Sequence, residues 1–380
     1  MTGQRTAVGR VLVVGGGLAG LTLATALGRL GVEVDVVDVT DQVERWGLGL
    51  TSRVMYALES LEVLEDCRAA GTVITGRGSL YDFMFDGAGE RMEIPSSRSD
   101  RARRLPAGIV IYRPELFRIL RSHAAAAGAD LRYGVTVQSM DQTGDRVDAT
   151  FTDGRSDSYD LVVGADGIRS HVRALLFGQQ VRPNYAGRIS LVWIVPDAPR
   201  GPAGFYCCRG TLVAVSHLPG QLAYVATGYG MPYAQVTQPE AVRLLREVLD
   251  RFTAPHLLDL RQRLTADQDV RVKPYEWLLV EPPWHRGRIT VIGDAAHATT
   301  AHLTSIGGMA IEDGVVLAEE LTGAESVEVA LESFQRRRID RVRMVVDTSE
   351  QLLRMQLEDA DQRDIALVRN KALTMLAGPY

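Results

Sequence analysis

Lysine is almost missing from this sequence. Only Lys273 and Lys371 carry amines, so nearly all the positive charge is arginine. Cysteine is just as scarce. Cys67, Cys207 and Cys208 cannot build a disulfide framework, which points to a reducing, cytoplasmic compartment. Positive charge is not in excess either: the formal net charge is -5, and a phosphate-binding surface would need to be basic, so nucleic acid is excluded as a main partner. One apolar stretch, Val11 to Leu30, is long enough to resemble a membrane span. It carries Gly15, Gly16, Gly17, Gly20 and Arg29, and reads instead as strand, turn and helix, neither signal peptide nor membrane span. No cluster of His, Cys and acidic residues has metal-ligand spacing, and no Ser-His-Asp arrangement is legible.

What is present is an ordinary globular composition, 46% hydrophobic and 23% charged over 380 residues, enough for two substructures sharing one core. Val11 to Val14 is a continuous apolar run, as in a parallel strand buried on both faces. A glycine turn follows, then helical spacing from Leu18 to Leu30, then a second strand, Val32 to Val37. From Ser79 to Ile111 short alternating pieces (Leu80 to Phe85, Arg91 to Ile94, Ile109 to Tyr112) suggest antiparallel strands of a second layer. Pro114 to Ala126 reads as a helix with proline near its start. Strand patterns resume at Leu131 to Val137, Arg146 to Phe151 and Leu161 to Val163, and again between Ile189 and Tyr229. Helical patterns dominate from Gly308 to the end. The second layer is therefore inserted into a nucleotide-binding domain, not appended to it.

Gly15-Gly16-Gly17-Leu18-Ala19-Gly20 fits the G-x-G-x-x-G pattern of dinucleotide-binding turns. Gly15 permits the tight turn, Gly17 lets the backbone approach a pyrophosphate, and Gly20 lets helix and strand pack closely. The helix N-terminus offers free N–H groups to the phosphates. Asp38 ends the next strand eighteen residues after Gly20, close to the spacing of the acid that takes ribose hydroxyls. The plainer alternative is a structural turn with Asp38 as a solvated strand-end residue.

Two distal segments carry a resemblance. Asp160-Leu161-Val162-Val163-Gly164-Ala165-Asp166-Gly167 and Arg288-Ile289-Thr290-Val291-Ile292-Gly293-Asp294-Ala295-Ala296-His297 resemble the Asp-Gly and Gly-Asp motifs of the para-hydroxybenzoate hydroxylase-like flavin monooxygenases. With the glycine fingerprint, Arg113 ahead of its helix and the arginine-rich C-terminal helix, they fall in that family's order. The resemblance spans essentially the whole chain. It implies an α/β fold: a Rossmann-like FAD-binding domain, an inserted antiparallel-sheet substrate domain and a C-terminal helical region. The divisions expected are 1–78, 113–184 and 276–322 for the FAD domain, 79–112 and 185–275 for the substrate layer, and 323–380 for the terminal helices. FAD would be held by Gly15, Gly17, Leu18, Ala19, Gly20, Asp38, Arg113, Val137, Asp166, Asp294, Ile306 and Gly307. Asp294 would accept from the ribitol chain, and the backbone at Val137 would meet the adenine. The alternatives are helix caps for Asp166 and Asp294 and a surface ion pair for Arg113.

The sequence has no second G-x-G-x-x-G, so NAD(P)H would visit, reduce the flavin and leave. A flavin C4a-hydroperoxide formed with O2 would then hydroxylate an aromatic or polycyclic small molecule. The rivals are a non-redox cyclase or isomerase and a small-molecule binding protein on the same scaffold. Candidate substrate-pocket residues are Tyr206, His217, Tyr224, Tyr229 and Trp193; His302 is the acid–base candidate, and His297 the structural histidine. A monomer or homodimer is expected. The family's Pro-x-x-Gly-x-Gly loop is altered here: Ala301 replaces proline, and Thr304 and Ile306 stand where glycines are common. A β-branched residue restricts the backbone where glycine permits close approach, so a weaker or more mobile flavin ring is expected.

Overall fold

The computed structural model describes residues 6–51, 53–74, 84–93, 105–303 and 306–380. Its first layer is a six-stranded sheet with Arg10–Val14 at its centre, flanked by Glu33–Asp38 and Leu161–Gly164. Asp130–Tyr133 and Ile289–Val291 extend it in parallel on either side, and His285–Arg286 adds a short antiparallel edge. The central strands are buried on both faces, which is why Val11 to Val14 needs no polar alternation. Helices Leu18–Arg29, Arg113–Ala126 and Ile306–Leu321 pack together beside this sheet. An antiparallel meander, Val137–Thr143, Arg146–Phe151 and Ser156–Tyr159, is tied to it through the Tyr159 hydroxyl, which donates to Asp35 at 2.7 Å.

The second large sheet has seven strands, in the order His297–Ala298, Val270–Leu279, Asn184–Val195, Leu222–Gly230, Thr211–Leu218, Gly204–Cys208 and Met84–Phe85. All its neighbours are antiparallel except the last pair. Helices Gln238–Leu249 and Pro255–Arg263 cover one face and build a separate apolar core with it. The fold is thus the expected α/β architecture with an inserted antiparallel sheet, and the helices Val327–Leu357 and Gln362–Leu376 follow at the C-terminus.

Some local readings differ. Leu131 to Val137 is not one strand: Gly134 turns at φ +78°, and Val137 begins the meander. Among the described residues of the layer expected between Ser79 and Ile111, Met84–Phe85 joins the seven-stranded sheet. Gly108–Tyr112 pairs instead with Gly47–Thr51 and Thr72–Ile74. Most of Leu80 to Phe85, and Ile94, lie outside the described residues.

Candidate functional site

The glycine turn assembles as its spacing demands. Gly15 sits at φ +113° and donates to the Val37 carbonyl at 2.7 Å. A Cβ there would fall 2.3 Å from the Ala165 carbonyl oxygen, and one on Gly20 would fall 2.0 Å from that of Gly15. Both positions therefore require glycine for packing alone. Gly17 differs: it precedes the helix at φ −82°, no side chain caps that helix start, and an added Cβ would meet nothing nearer than 3.7 Å. Asp38 accepts from the Gly16 N–H at 2.7 Å and from the Thr40 N–H at 3.0 Å.

Around this turn lies a cleft of about 370 Å³, lined by Gly15, Gly17, Asp38, Thr136, Arg113 and Asp166, among others. Thr136, rather than the fully buried Val137, faces it. Asp166 accepts from the Ser170 hydroxyl and from the N–H groups of His171 and Val172, capping the helix His171–Phe177 while facing the cleft. Burial holds its carboxyl above the ordinary range. Arg113 lies 5.2 Å from the Trp46 ring and 3.5 Å from Glu44; burial lowers its pKa.

The first helix also carries the fingerprint to the distal motif. A Cβ on Gly293 would lie 3.0 Å from the Ala19 side chain, and one on Gly307 would lie 3.1 Å from Leu18 and 3.0 Å from Leu48. Two helix N-termini, at Leu18 and Ile306, thus converge beside Asp294. Among the described residues, no hydrogen bond or ion pair ends on the Asp294 carboxylate. Burial pushes its pKa up, against the pull of His297, Arg113 and Lys273. A half-buried carboxylate with no hydrogen bond of its own is costly unless something supplies donors, and the hydroxyls of a ribitol chain are such donors. The glycine cradle, the paired helix ends and this unpaired carboxylate fit an FAD. Of the altered loop, Ala301–Leu303 forms a short 3-10 turn. Thr304, Ser305 and the Ile306 side chain lie outside the described residues.

Beneath Asp294 sits a buried charge network. Asp313 accepts from the Gly293 N–H at 2.7 Å and from Arg338 Nε at 2.7 Å, and lies 2.6 Å from His297 Nε2. Arg338, fully buried, also pairs with Glu312 at 2.9 Å. Although burial opposes it, His297 and Arg338 hold the Asp313 carboxyl down at about 2. His297 is thus engaged by Asp313 within this buried network.

A second cavity, of about 190 Å³, lies on the open face of the seven-stranded sheet. Alternation decides which side chains reach it. Cys207, Ala214, Ser216, Tyr224 and Ala226 line it, so their neighbours point the other way. Tyr206 and His217 are therefore corrections to the candidate list. The Tyr206 hydroxyl donates to the Pro202 carbonyl, and its ring stacks on Phe85 within the helix-covered core. His217 Nε2 lies 2.8 Å from the Gly201 carbonyl oxygen, and its ring lies near His256. Tyr229 and Trp193 face that same core, bonded to Glu247 and Gln268. Tyr224 and His302 do line the cavity. His302 hydrogen-bonds Thr300 at 2.7 Å and Gln356 at 3.2 Å, and burial pushes its pKa down to about 4. Sequence reasoning missed Tyr275, Gln356, Gln362 and Arg369. The last three come from the two C-terminal helices, whose sequence shows no sign of which face meets a ligand.

Fold and cleft together define a dinucleotide-binding protein with a separate small-molecule cavity. Residues 9–349 match the family model described as FAD binding domain. The chain is 31% identical to aurachin C monooxygenase/isomerase of Stigmatella aurantiaca, covering 87% of this chain and 85% of that one. It is 30% identical to 2-heptyl-3-hydroxy-4(1H)-quinolone synthase of Pseudomonas aeruginosa, covering 88% and 86%. In fold it matches Klebsiella pneumoniae HpxO complexed with FAD and uric acid at TM-score 0.77 and 22% identity, covering 96% and 92%. The chain belongs to the para-hydroxybenzoate hydroxylase-like family of FAD-dependent monooxygenases, with FAD as cofactor and NAD(P)H as the reductant typical of that family. Among the described residues, no helix is long and apolar enough to cross a membrane.

Proposed function

We propose that the protein hydroxylates a planar aromatic small molecule bound in the cavity beside Tyr224 and His302. The observation that carries this is Leu48. It lines the cavity and also packs against Gly307 at the start of the helix Ile306–Leu321, where Gly307 in turn approaches Leu18 next to Gly17 of the cleft, so cavity and cleft are linked through that helix start. Bound FAD supplies the redox chemistry. One oxygen atom of O2 enters the ring and the other leaves as water, with two electrons from NAD(P)H. The protein's part is placement. Gly15, Gly17 and the helix start at Leu18 would hold the pyrophosphate, and Asp294 would accept from the ribitol hydroxyls. Tyr224, whose pKa burial raises, is a neutral hydrogen-bonding group at working pH. His302, neutral above about pH 5, lines the cavity with both ring nitrogens engaged by Thr300 and Gln356, so it would exchange a proton with the substrate only by giving up one of these bonds.

The relatives named for quinolone and aurachin chemistry, and the neighbour holding uric acid, support a flat heteroaromatic over an aliphatic substrate. The test is oxygen uptake by the FAD-loaded protein with NADPH, using a quinolone panel and ¹⁸O2. Substrate-stimulated uptake with one labelled atom in the product is expected. Product formed without oxygen or reductant would overturn the reading in favour of a cyclase or isomerase.

A further inference from the structure

Lys273 is one of only two lysines in a sequence whose positive charge is otherwise arginine. It lies on the strand Val270–Leu279 of the inserted sheet, yet its partner comes from the nucleotide-binding domain. Its ammonium pairs with Glu44 and sits 4.4 Å from the centre of the Trp46 ring. The other Glu44 oxygen lies 3.5 Å from Arg113, so one carboxylate bridges two cations. That carboxylate also stands in a partition: Gln42, Val43 and Glu44 line both the nucleotide cleft and a neighbouring groove of about 550 Å³ whose lining includes Lys273. The loop carrying Glu44 is pinned. Asp38 accepts from the Thr40 N–H at 3.0 Å, Arg121 donates to the Asp41 carbonyl at 2.8 Å, and the Trp46 carbonyl accepts from the Arg113 N–H at 2.9 Å. The backbone is therefore held, whereas the Glu44 side chain is 42% exposed and can change rotamer. Arg113 has more to gain from a close anion than Lys273 has. Burial lowers its pKa, against Glu44 and Asp294, and its buried Nε has no hydrogen-bond partner. Arg113 and Lys273 each feel both Glu44 and Asp294, and the four formal charges cancel. A diphosphate meets Arg113 only against the like charge of Glu44, unless that charge is drawn away.

We infer that Glu44 is an exchangeable counter-ion, shielding Arg113 and yielding it to the FAD diphosphate, and that Lys273 is the positioning residue that holds Glu44 aside. Lys273 acts through Glu44 and not on the cofactor. The inserted sheet thereby takes part in cofactor binding across the boundary between the two substructures. The inference rests on Arg113 as a cofactor residue, and on neither the cavity nor the reaction proposed for it.

The test is titration of FAD into the full-chain apo-protein, followed by flavin fluorescence, without substrate or turnover. Changing one charge of a partly exposed pair should shift affinity roughly threefold to tenfold. Glu44→Gln should tighten FAD by that factor at low salt. In about 1 M NaCl, where the Debye length is about 3 Å, the gain should shrink below about twofold. Lys273→Gln should weaken FAD by the same factor, and Lys273→Arg should keep wild-type affinity. In the Glu44→Gln background, Lys273→Gln should change affinity by less than about twofold, since the group it acts on is gone. Unchanged or weaker binding by Glu44→Gln, or a gain that high salt leaves intact, overturns the counter-ion role. No loss from Lys273→Gln, or equal losses in both backgrounds, overturns the role of Lys273 through Glu44. Should Lys273→Gln fail to fold, Glu44→Gln still decides the exchange, because its side chain is isosteric and partly exposed. Arg113→Gln checks the premise: full FAD affinity there removes Arg113 from the site and the inference with it. Weakened FAD in Arg113→Gln with no gain in Glu44→Gln refutes the exchange alone. Oxygen uptake enters none of these readings, so a failed hydroxylation sinks the proposed reaction and leaves this inference standing.

Discussion

An alanine at position 17 would place its methyl group 3.7 Å from the nearest protein heavy atom, the Ala165 carbonyl oxygen, an ordinary van der Waals distance. The backbone there, at φ −82°, is open to any residue. Gly17→Ala should therefore leave the apo-protein within about 1 kcal/mol of wild type. The methyl does occupy the space above the first helical turn, where the backbone meets the cofactor pyrophosphate. Losing one charge-assisted hydrogen bond of about 1.5–3 kcal/mol should weaken FAD roughly tenfold to a hundredfold. Gly20→Ala behaves oppositely. Its Cβ would sit 2.0 Å from the Gly15 carbonyl oxygen and 3.0 Å from Val13, so helix and strand must separate, at about 1–3 kcal/mol or more. Urea unfolding of the apo-proteins, followed by circular dichroism, measures the first quantity. Quenching of flavin fluorescence on titration measures the second. Wild-type FAD affinity in Gly17→Ala would remove that residue from the site, and unchanged stability in Gly20→Ala would refute the packing argument.

Asp313→Asn should cost about 3–5 kcal/mol in urea unfolding at pH 7, because Arg338 is left without a full counter-charge at 0% exposure. The wild-type carboxyl is depressed to about 2, so its contribution is complete above pH 4 and is lost as pH falls toward 2; the variant should lack that acid loss. Asp294→Ala should weaken FAD binding while leaving the apo-protein as stable or more so, since among the described residues no hydrogen bond satisfies the carboxylate it removes. A destabilised apo-protein would show that Asp294 has a structural partner. His302, lowered from 6.5 to about 4, makes the unfolded state bind more protons between those values, so wild-type stability should rise with pH across that window. In His302→Gln the slope should flatten, as measured by thermal melts from pH 4 to 7.

The nucleotide half of the site was legible because its demands are local. Gly20 must be glycine because of the nearby Gly15 carbonyl, Gly15 already needs it for its positive φ before the distant Ala165 adds its contact, and the sequence shows both the glycines and the strand before them. Asp294 was legible only through its motif, since its lack of a partner is a three-dimensional fact. The cavity was far less readable. Alternation assigns Tyr206 and Cys207 to opposite faces of a strand, but which face is covered by the helices Gln238–Leu249 and Pro255–Arg263 depends on packing across the whole insert. Tyr206, with its aromatic ring and hydroxyl, was the more attractive candidate and faces the wrong side. Arg338 sits in the arginine-rich C-terminal run, and its burial becomes visible only where Asp313 and Glu312 meet it from the preceding helix.

The cleft's walls come from widely separated stretches of chain, Gly15 and Asp38 from the start and Arg113 and Asp166 from the middle, and Asp294, further along the chain, lies outside that lining. During synthesis, the ribosome must therefore release most of the polypeptide before any complete flavin seat can exist. A truncated product ending before the Gly-Asp motif could form the glycine turn and still hold no cofactor. Loading then reports that the chain has been completed, and because ligand binding favours the folded form by mass action, the yellow protein is also the one protected from proteolysis. Flavin supply would in this way set how much of the enzyme persists in a cell, independently of how much is translated.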